Sequence, residues 1–451
     1  MKQLALTAAL VLLTSMCPGQ QAPPRKTMVL RGETYKLFTD AERRQRGFPV
    51  EDIRPVNNAA TYYIDAINRY VELPDDGPVK GQYNRVLQDG WADDHPELAA
   101  WLKQNRRTIE LVGQGAGKKE YEFPIIYSRM ISGVLMPHLM HFRELARLLV
   151  VDAHHQARLG RGHRAAARLE TLCRAIGHWR QEPFLIGGLV SLACTQLAAD
   201  HTVRVLQQYE LDKKSVARIN EAVAWLDGHR PSFEYAIENE SRFGLQTVDE
   251  LVEGALDPGA MFIGMPQRAF PENLIRSIGG TRGVKLMMPD RTVKQNMQTY
   301  YDKVLAMDKL PAHEVVGPKM DRRARQWMAE LPPWDMVSRM MLPALARTPQ
   351  SYARADARVD LVRLVTALHL YRAENGSFPV RLKQLAPDYL DAVPVDRFSK
   401  QGEPLQYKNH AGRGYTVYSI GPDLRDQGGL PGDTPETGDM VYSYSVKEAG
   451  Q

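Results

Sequence analysis

The feature that most limits what this chain can fold into is the helical spacing of its apolar residues from Asn58 to Tyr209. Leu169, Leu172, Cys173 and Ile176 stand at i, i+3, i+4 and i+7, and Ile186, Leu189, Val190, Ala193 and Leu197 form a second stripe with Cys194 beside it. A stripe of this period buries itself against another stripe, so the segment reads as antiparallel helical hairpins. Gln181-Glu182-Pro183 separates the two stripes, with proline suited to the first turn of the next helix. The same spacing predicts helices over 58–71, 96–111, 139–159, 215–225 and 231–253. The last carries Glu234, Glu238, Glu240, Asp249, Glu250 and Glu253, read as a solvated acidic face. No fixed repeat period runs through these helices.

If the hairpin closes at Pro183, Cys173 and Cys194 lie level across it. They form a disulfide if their Cα atoms approach within about 7 Å, or they pack as small buried thiols; the spacing allows both. The third cysteine, Cys17, follows Met1-Lys2-Gln3, an apolar run over 4–13 and small residues to Gly19. That order is a secretory signal peptide, residues 1–19, and directs the chain to the periplasm or cell envelope. Lipidation at Cys17 is a second reading; Thr14 and Met16 depart from the Leu and small residue such a site uses, which favours cleavage near Gly19 or a retained anchor. Elsewhere no run reaches the length of a membrane span, so membrane contact is expected only through an uncleaved signal or a lipid anchor. Residues 20–57, rich in Pro, Arg and Gln, read as an extended leader. Arg46-Gly47-Phe48-Pro49-Val50-Glu51 has the look of a prepilin-peptidase site but lacks the long apolar helix that must follow it.

Lys and Arg number 58 against 53 Asp and Glu, a formal charge of +5, and they are spread among the acids. Without a basic stripe interleaved with aromatics, no nucleic-acid partner is expected; a protein partner is. Residues 58–255 thus form an all-α domain. Residues 256–350, punctuated by Gly259, Gly264, Pro266, Pro289, Pro311 and Pro332, form an irregular connection with short helices over 293–307 and 322–330.

The strongest local signal begins near Tyr352. Leu361, Leu364, Val365 and Leu368 share one helix face, and Asn375-Gly376 supplies a left-handed cap. Gly402-Glu403-Pro404-Leu405-Gln406-Tyr407, a turn over 410–414 and Tyr415-Thr416-Val417-Tyr418-Ser419 then carry hairpin chemistry. The fold class is therefore mainly α: a helical-hairpin body followed by a small α+β domain, one long helix plus a short antiparallel sheet.

Residues 351–446 resemble the globular domain of the type II secretion system major pseudopilins, the general secretion pathway protein G-like proteins. The resemblance rests on Leu370-Tyr371-Arg372-Ala373-Glu374-Asn375-Gly376-Ser377-Phe378-Pro379, on Asp396-Arg397-Phe398, and on Tyr418-Ser419-Ile420-Gly421-Pro422-Asp423 with Gly428-Gly429 and Gly438-Asp439-Met440. It implies a last loop that binds calcium. Asp423 and Asp439 match the loop acids by position, Asp433 matches less well because the spacing is longer, and Asp426 is a further candidate. Calcium takes six to eight oxygen ligands, which a Gly- and Asp-rich loop can supply. The apolar polymerising helix of a pseudopilin should directly precede this domain; here the helical body intervenes, so filament assembly is not expected.

Other chemistry is thin. Gly113-Gln114-Gly115-Ala116-Gly117-Lys118-Lys119 lacks the spacing and the Ser or Thr of a phosphate loop and follows a helical pattern. His313-Glu314 lacks the second His of a zinc-protease helix. His154, His155 and His163 crowd a helix end, where adjacent side chains diverge. No catalytic residue is assigned. The expected role is an exported, non-catalytic interaction or scaffold protein. One alternative is an envelope hydrolase that gathers His154, His155 or Glu182 with a second carboxylate; another is an accessory component of a secretion system.

Overall fold

The computed structural model describes residues 26–253 and 290–445, except 49, 51, 75, 131–132, 334, 336–337, 340–344 and 435. The signal segment with Cys17, and residues 254–289 of the connection, lie outside the described residues. The fold is mainly helical, with thirteen helices and small antiparallel sheets among the described residues.

From residue 26 onward, the described part of the expected extended leader is a folded part of the body. Strands β1 (Thr27–Leu30) and β2 (Glu33–Lys36) pair antiparallel across a turn at Arg31-Gly32, and α1 (Asp40–Gln45) follows, started by a capping box between Thr39 and Glu42. Met28 and Leu30 enter the main core, while Phe38 and Phe48 join Phe184 and Phe243 in a separate aromatic cluster. Four-residue strands are too short for their alternation to show above the surrounding polar sequence, which is why this segment read as extended.

The body continues with α2 (Ala59–Arg69), α3 (Pro78–Asp89), α4 (Pro96–Gln104), α5 (Arg106–Ala116), α6 (His138–Arg158), α7 (Gly162–Trp179), α8 (Leu185–Gln208), α9 (Lys213–Gly228) and α10 (Phe233–Val252). The sequence spacing predicted one helix over 96–111; two are present, broken at Asn105. That side chain, fully buried, accepts from the Val71 amide at 2.9 Å and donates to the Val71 carbonyl at 3.0 Å, pinning the α2–α3 connection. The glycine run at 113–117 falls in the last turn of α5 and its cap. A Cβ at Gly115 would lie 2.8 Å from the Tyr63 ring and 3.2 Å from the Ala59 carbonyl, so glycine here lets α5 approach α2 closely.

Helix α6 runs through the middle, in contact with α2, α3, α4, α5, α7 and α8. Leu148, Leu149, Val150 and Val151 are consecutive and all at 0% exposure. Four successive residues point in four directions about a helix, so this turn is enclosed on every side. Cys173 and Cys194 are buried in the same core as free thiols, and no disulfide joins them. Burial pushes both thiols up to about 12, which keeps them protonated and unreactive.

Helix α11 (Asp290–Leu305) packs on α10, α12 (Gly317–Glu330) joins the same apolar cluster, and α13 (Thr348–Asn375) follows. The acidic face of α10 is only partly solvated: Asp249 pairs with Lys294 of α11, Glu250 lies 3.6 Å from Arg46, and Glu240 accepts from the Leu185 amide at 3.4 Å. Helix α13 ends at Gly376 with φ 80°, the left-handed cap that the sequence called for. Strands β3 (Gln406–Asn409), β4 (Gly414–Ser419) and β5 (Met440–Ser445) form an antiparallel sheet in the order β3-β4-β5, with Gln406 opposite Tyr418 and Ser419 opposite Met440.

Leu361, Leu364, Val365 and Leu368 of α13 are buried, as their spacing required. Their cluster runs without interruption from Ala153, Val205 and Ile219 of the body to Phe378, Tyr415 and Val417 beside the sheet. Polar links cross the same boundary. Asp200 of α8 accepts from Arg358 at 2.5 Å and from the Tyr442 hydroxyl at 2.6 Å, and Gln207 donates to the Ser443 carbonyl at 3.1 Å.

Truncating Leu149 to Ala opens a cavity with no solvent-facing side into which the turn could relax, so the variant is expected to lose about 3–5 kcal/mol of stability. Chemical denaturation of the two proteins checks this; a loss below about 1 kcal/mol would show that α6 is not enclosed.

Candidate functional site

The titratable groups singled out in the sequence are not gathered. His154 lies near the C-terminal end of α6, while Glu182, between α7 and α8, meets His138 at the opposite end, about 24 Å away along the helix axis. Two separate buried clusters result.

In the first, the Tyr121 hydroxyl donates to Glu182 Oε1, and His138 Nε2 lies 3.0 Å from Glu182 Oε2. The His138 ring stacks on Phe123 at 3.7 Å between centroids. His178 Nε2 is 3.1 Å from the Lys118 carbonyl, which can only accept, so Nδ1 accepts from the Tyr63 hydroxyl at 2.7 Å. The Glu182 side chain is 3% exposed although its residue borders a cleft of about 540 Å³ that also touches Arg43, Glu122, Arg180 and Arg230. Glu122, the second carboxylate in that cleft, pairs with Arg43. Arg180 is buried and donates to the Leu226 carbonyl and Thr195 Oγ1 at 3.0 and 3.1 Å, and to the His229 carbonyl, tying the ends of α7 and α9 together.

In the second cluster, His154 Nε2 is 3.0 Å from His201 Nδ1, and His154 Nδ1 is 3.2 Å from the Tyr209 hydroxyl. Arg204 also reaches His201 Nδ1, at 3.4 Å, and a guanidinium only donates. His201 Nδ1 is therefore an acceptor, His154 Nε2 carries the proton that binds it, and His154 Nδ1 receives the Tyr209 proton. Both rings are neutral. Burial pushes His154 well below the usual histidine range and His201 down to about 3, with Arg204 adding to both shifts. His155 faces away and packs at a tilt against Trp91, 4.4 Å between centroids; His163 is exposed in the first turn of α7. The sequence reading missed His138, Tyr121, His201 and Tyr209, whose partners lie 44 to 61 residues away along the chain.

The C-terminal acids act as backbone clamps. Asp439, 4% exposed, accepts from the amides of Gln427, Gly429 and Leu430 at 3.2, 2.6 and 3.2 Å. Asp423 accepts from the amides of Arg425 and Gly438 at 3.1 and 2.9 Å and from the Gln427 side chain at 2.8 Å. Asp426 accepts from the Gly428 amide at 2.7 Å, and Asp433 is exposed. Asp396, unassigned from the sequence, is buried and takes the Phe398 and Ile420 amides and the Ser419 hydroxyl. Among the described residues no three His, Cys, Asp or Glu side chains converge on a point that could hold a metal. Calcium needs oxygens turned inward; these carboxylates are turned onto N–H groups, so the loop as arranged does not fit the ion.

A third feature is a groove of about 940 Å³ between the body and the C-terminal sheet, bordered by Trp91, Arg158, Tyr209, His369, Arg372 and Tyr444. His369, buried, binds the Tyr415 hydroxyl at 3.0 Å. No helix among the described residues is long and apolar enough to cross a membrane. Comparison with protein families, with curated proteins and with solved structures yields no match to the chain.

Two outcomes follow. Burial lowers His178 to about 4, and His201 and His369 to about 3, below the unfolded value of about 6.5. The unfolded chain then binds more protons below that value, so stability is full above pH about 6.5 and falls toward pH about 4, by about 1.4 kcal/mol per pH unit for each histidine. Denaturant titrations across this range should show the fall, with a shallower slope in His201→Asn; a flat profile would contradict buried neutral rings. For the loop, Asp439→Ala strands three amides and is expected to cost about 3 kcal/mol, while chelator leaves the wild-type melting temperature unchanged. A calcium-dependent rise in that temperature would instead show that the loop rearranges around the ion.

Proposed function

We propose that this chain is an exported cell-envelope protein that binds and scaffolds rather than catalyses, with its pseudopilin-like α+β unit carried on the helical body. The observation that supports this best is where the acid–base groups are spent. Glu182 gives one oxygen to Tyr121 and the other to His138, and His154 gives both ring nitrogens to His201 and Tyr209. A general acid or base must reach the reacting atom within hydrogen-bond distance; these buried groups reach one another instead. The groove between body and sheet, with Trp91, Tyr209 and Tyr444 at its sides, has the wide aromatic border of a binding surface.

The shared core argues against filament assembly. A pseudopilin polymerises through an apolar helix that leaves its globular domain, whereas α13 is packed on α8 and α9 of its own chain. Export rests on the signal-like first 19 residues, and the secretion resemblance on the C-terminal motifs.

The full chain, expressed with its first 19 residues, is expected in the envelope fraction and without turnover of ester, peptide or glycoside substrates. Turnover by wild type that Glu182→Gln abolishes, with the melting temperature retained, would replace the scaffold reading with the hydrolase. Co-purification with secretion components would identify the scaffold's partner as that machinery.

A further inference from the structure

A cavity of about 520 Å³ opens between α4, α5, the C-terminal end of α6 and the start of α7, separate from both buried clusters. Its border carries five cations, Lys103, Arg106, Arg161, Arg164 and Arg168, and two acids, Glu110 and Asp152. Two of the cations are compensated: Arg106 binds Glu110 at 3.1 Å and Arg168 binds Asp152 at 2.5 Å. Lys103, Arg161 and Arg164 are exposed, and none makes a side-chain hydrogen bond or ion pair among the described residues. Three uncompensated positive charges, one from α4 and two from the start of α7, therefore border one concavity.

The inner wall is polar as well. Gln156, 8% exposed, donates from Nε2 to Asp152 Oδ1 at 2.9 Å, which fixes the amide orientation and leaves Oε1 buried without a partner. His155 Nδ1 is also buried without a partner, its ring set against Trp91. Burial lowers the pKa of His155 against the opposing charge of Asp152, with Arg161 adding to the fall, so it adds a neutral donor or acceptor rather than a fourth cation. Buried polar atoms are normally satisfied by protein, water or ligand. The Gln156 oxygen calls for a donor, which a bare anion does not supply.

We propose that this cavity binds a small hydroxylated phosphate monoester, a polyol or sugar phosphate, with its phosphate held by Lys103, Arg161 and Arg164 and a hydroxyl directed to Gln156. A phosphate monoester carries close to two negative charges at neutral pH and three oxygens able to accept from guanidinium forks. The hydroxyl meets Gln156 Oε1 directly or through one water. A cavity of this volume lies within the ordinary range for small-molecule sites. The inference does not depend on the scaffold reading, because it uses neither the groove beside the sheet nor the location of the protein.

The test is calorimetric titration of the full chain at low salt with sn-glycerol 3-phosphate, inorganic phosphate and glycerol. Saturable binding of glycerol 3-phosphate is expected, weakened by added salt, with inorganic phosphate about tenfold weaker because its only hydroxyls sit on the phosphorus that the cations hold and not on a carbon chain extending toward Gln156, and no heat from glycerol. Arg161→Ala with Arg164→Ala should weaken both phosphates by about tenfold or more; both side chains are exposed, so the fold should survive, as an unchanged melting temperature would verify. Gln156→Leu should bring glycerol 3-phosphate down to the affinity of inorganic phosphate and leave the latter unchanged. Absence of saturable binding, or binding indifferent to the arginine pair, overturns the site. Equal affinity for the two phosphates overturns the hydroxylated ligand class.

Discussion

The enclosure of α6 is the constraint on which the rest of the molecule depends. A helix packed on one face tolerates polar residues on the other, but α6 touches six other helices and has four consecutive aliphatic residues without exposed surface. Each such side chain contributes about 1.5–3 kcal/mol by leaving water. The neighbours are thereby fixed in direction as well as in contact. Helices α2 and α5 must approach closely enough to need Gly115, and α7 and α8 must fold back as a hairpin. Because the aliphatic turn of Leu148, Leu149, Val150 and Val151 is wholly enclosed, the two buried histidine clusters of α6 lie on either side of it, at His138 and His154.

Those ends explain why the body holds two polar clusters and not one site. At each, a ring that would be costly to bury alone is matched to a partner from a distant segment: Glu182 for His138, and His201 with Tyr209 for His154. A buried polar group without a partner costs more than a formed hydrogen bond returns, so each pairing specifies which segments may lie together. Asn105 does the same for the Val71 backbone, and Asp439 and Asp396 for the loops that flank β4. In Asn105, Asp439 and Asp396 the device is a side chain that replaces a missing backbone partner.

What the sequence revealed follows from this. Period is a local property, so the long helices and the stripe Leu361, Leu364, Val365 and Leu368 were legible, as was the Gly376 cap. Breaks made by tertiary contacts were not: nothing near Asn105 announces that its amide is promised to Val71. The strands at 27–36 were hidden by their length, and the α10 acids by ion pairs with Lys294 and Arg46 that only the fold brings near. His154 and Glu182 were correctly noticed as unusual, but noticing them gave no partner, and a histidine's role is set by its partner. The C-terminal acids carry the same lesson: spacing located Asp423 and Asp439, while only geometry showed that their oxygens face amides.

Charge makes the point in its strongest form. A net of +5 in a chain with 58 basic and 53 acidic residues is nearly featureless, and near-neutrality was the reason to expect no particular electrostatic partner. Pairing, however, is not distributed evenly. Asp200, Asp227, Asp356 and Asp360 are drawn to the junction between body and C-terminal unit, where they meet Arg230, Arg358 and Arg397. Acids committed to that junction are unavailable elsewhere, and a surface bordered by Lys103, Arg161 and Arg164 is left with cations to spare. Joining the two parts of the molecule and leaving a positive cavity between α4, α5, α6 and α7 are two consequences of one distribution of carboxylates. Electrostatic specificity in a nearly neutral protein is therefore read from which acids the fold has already used.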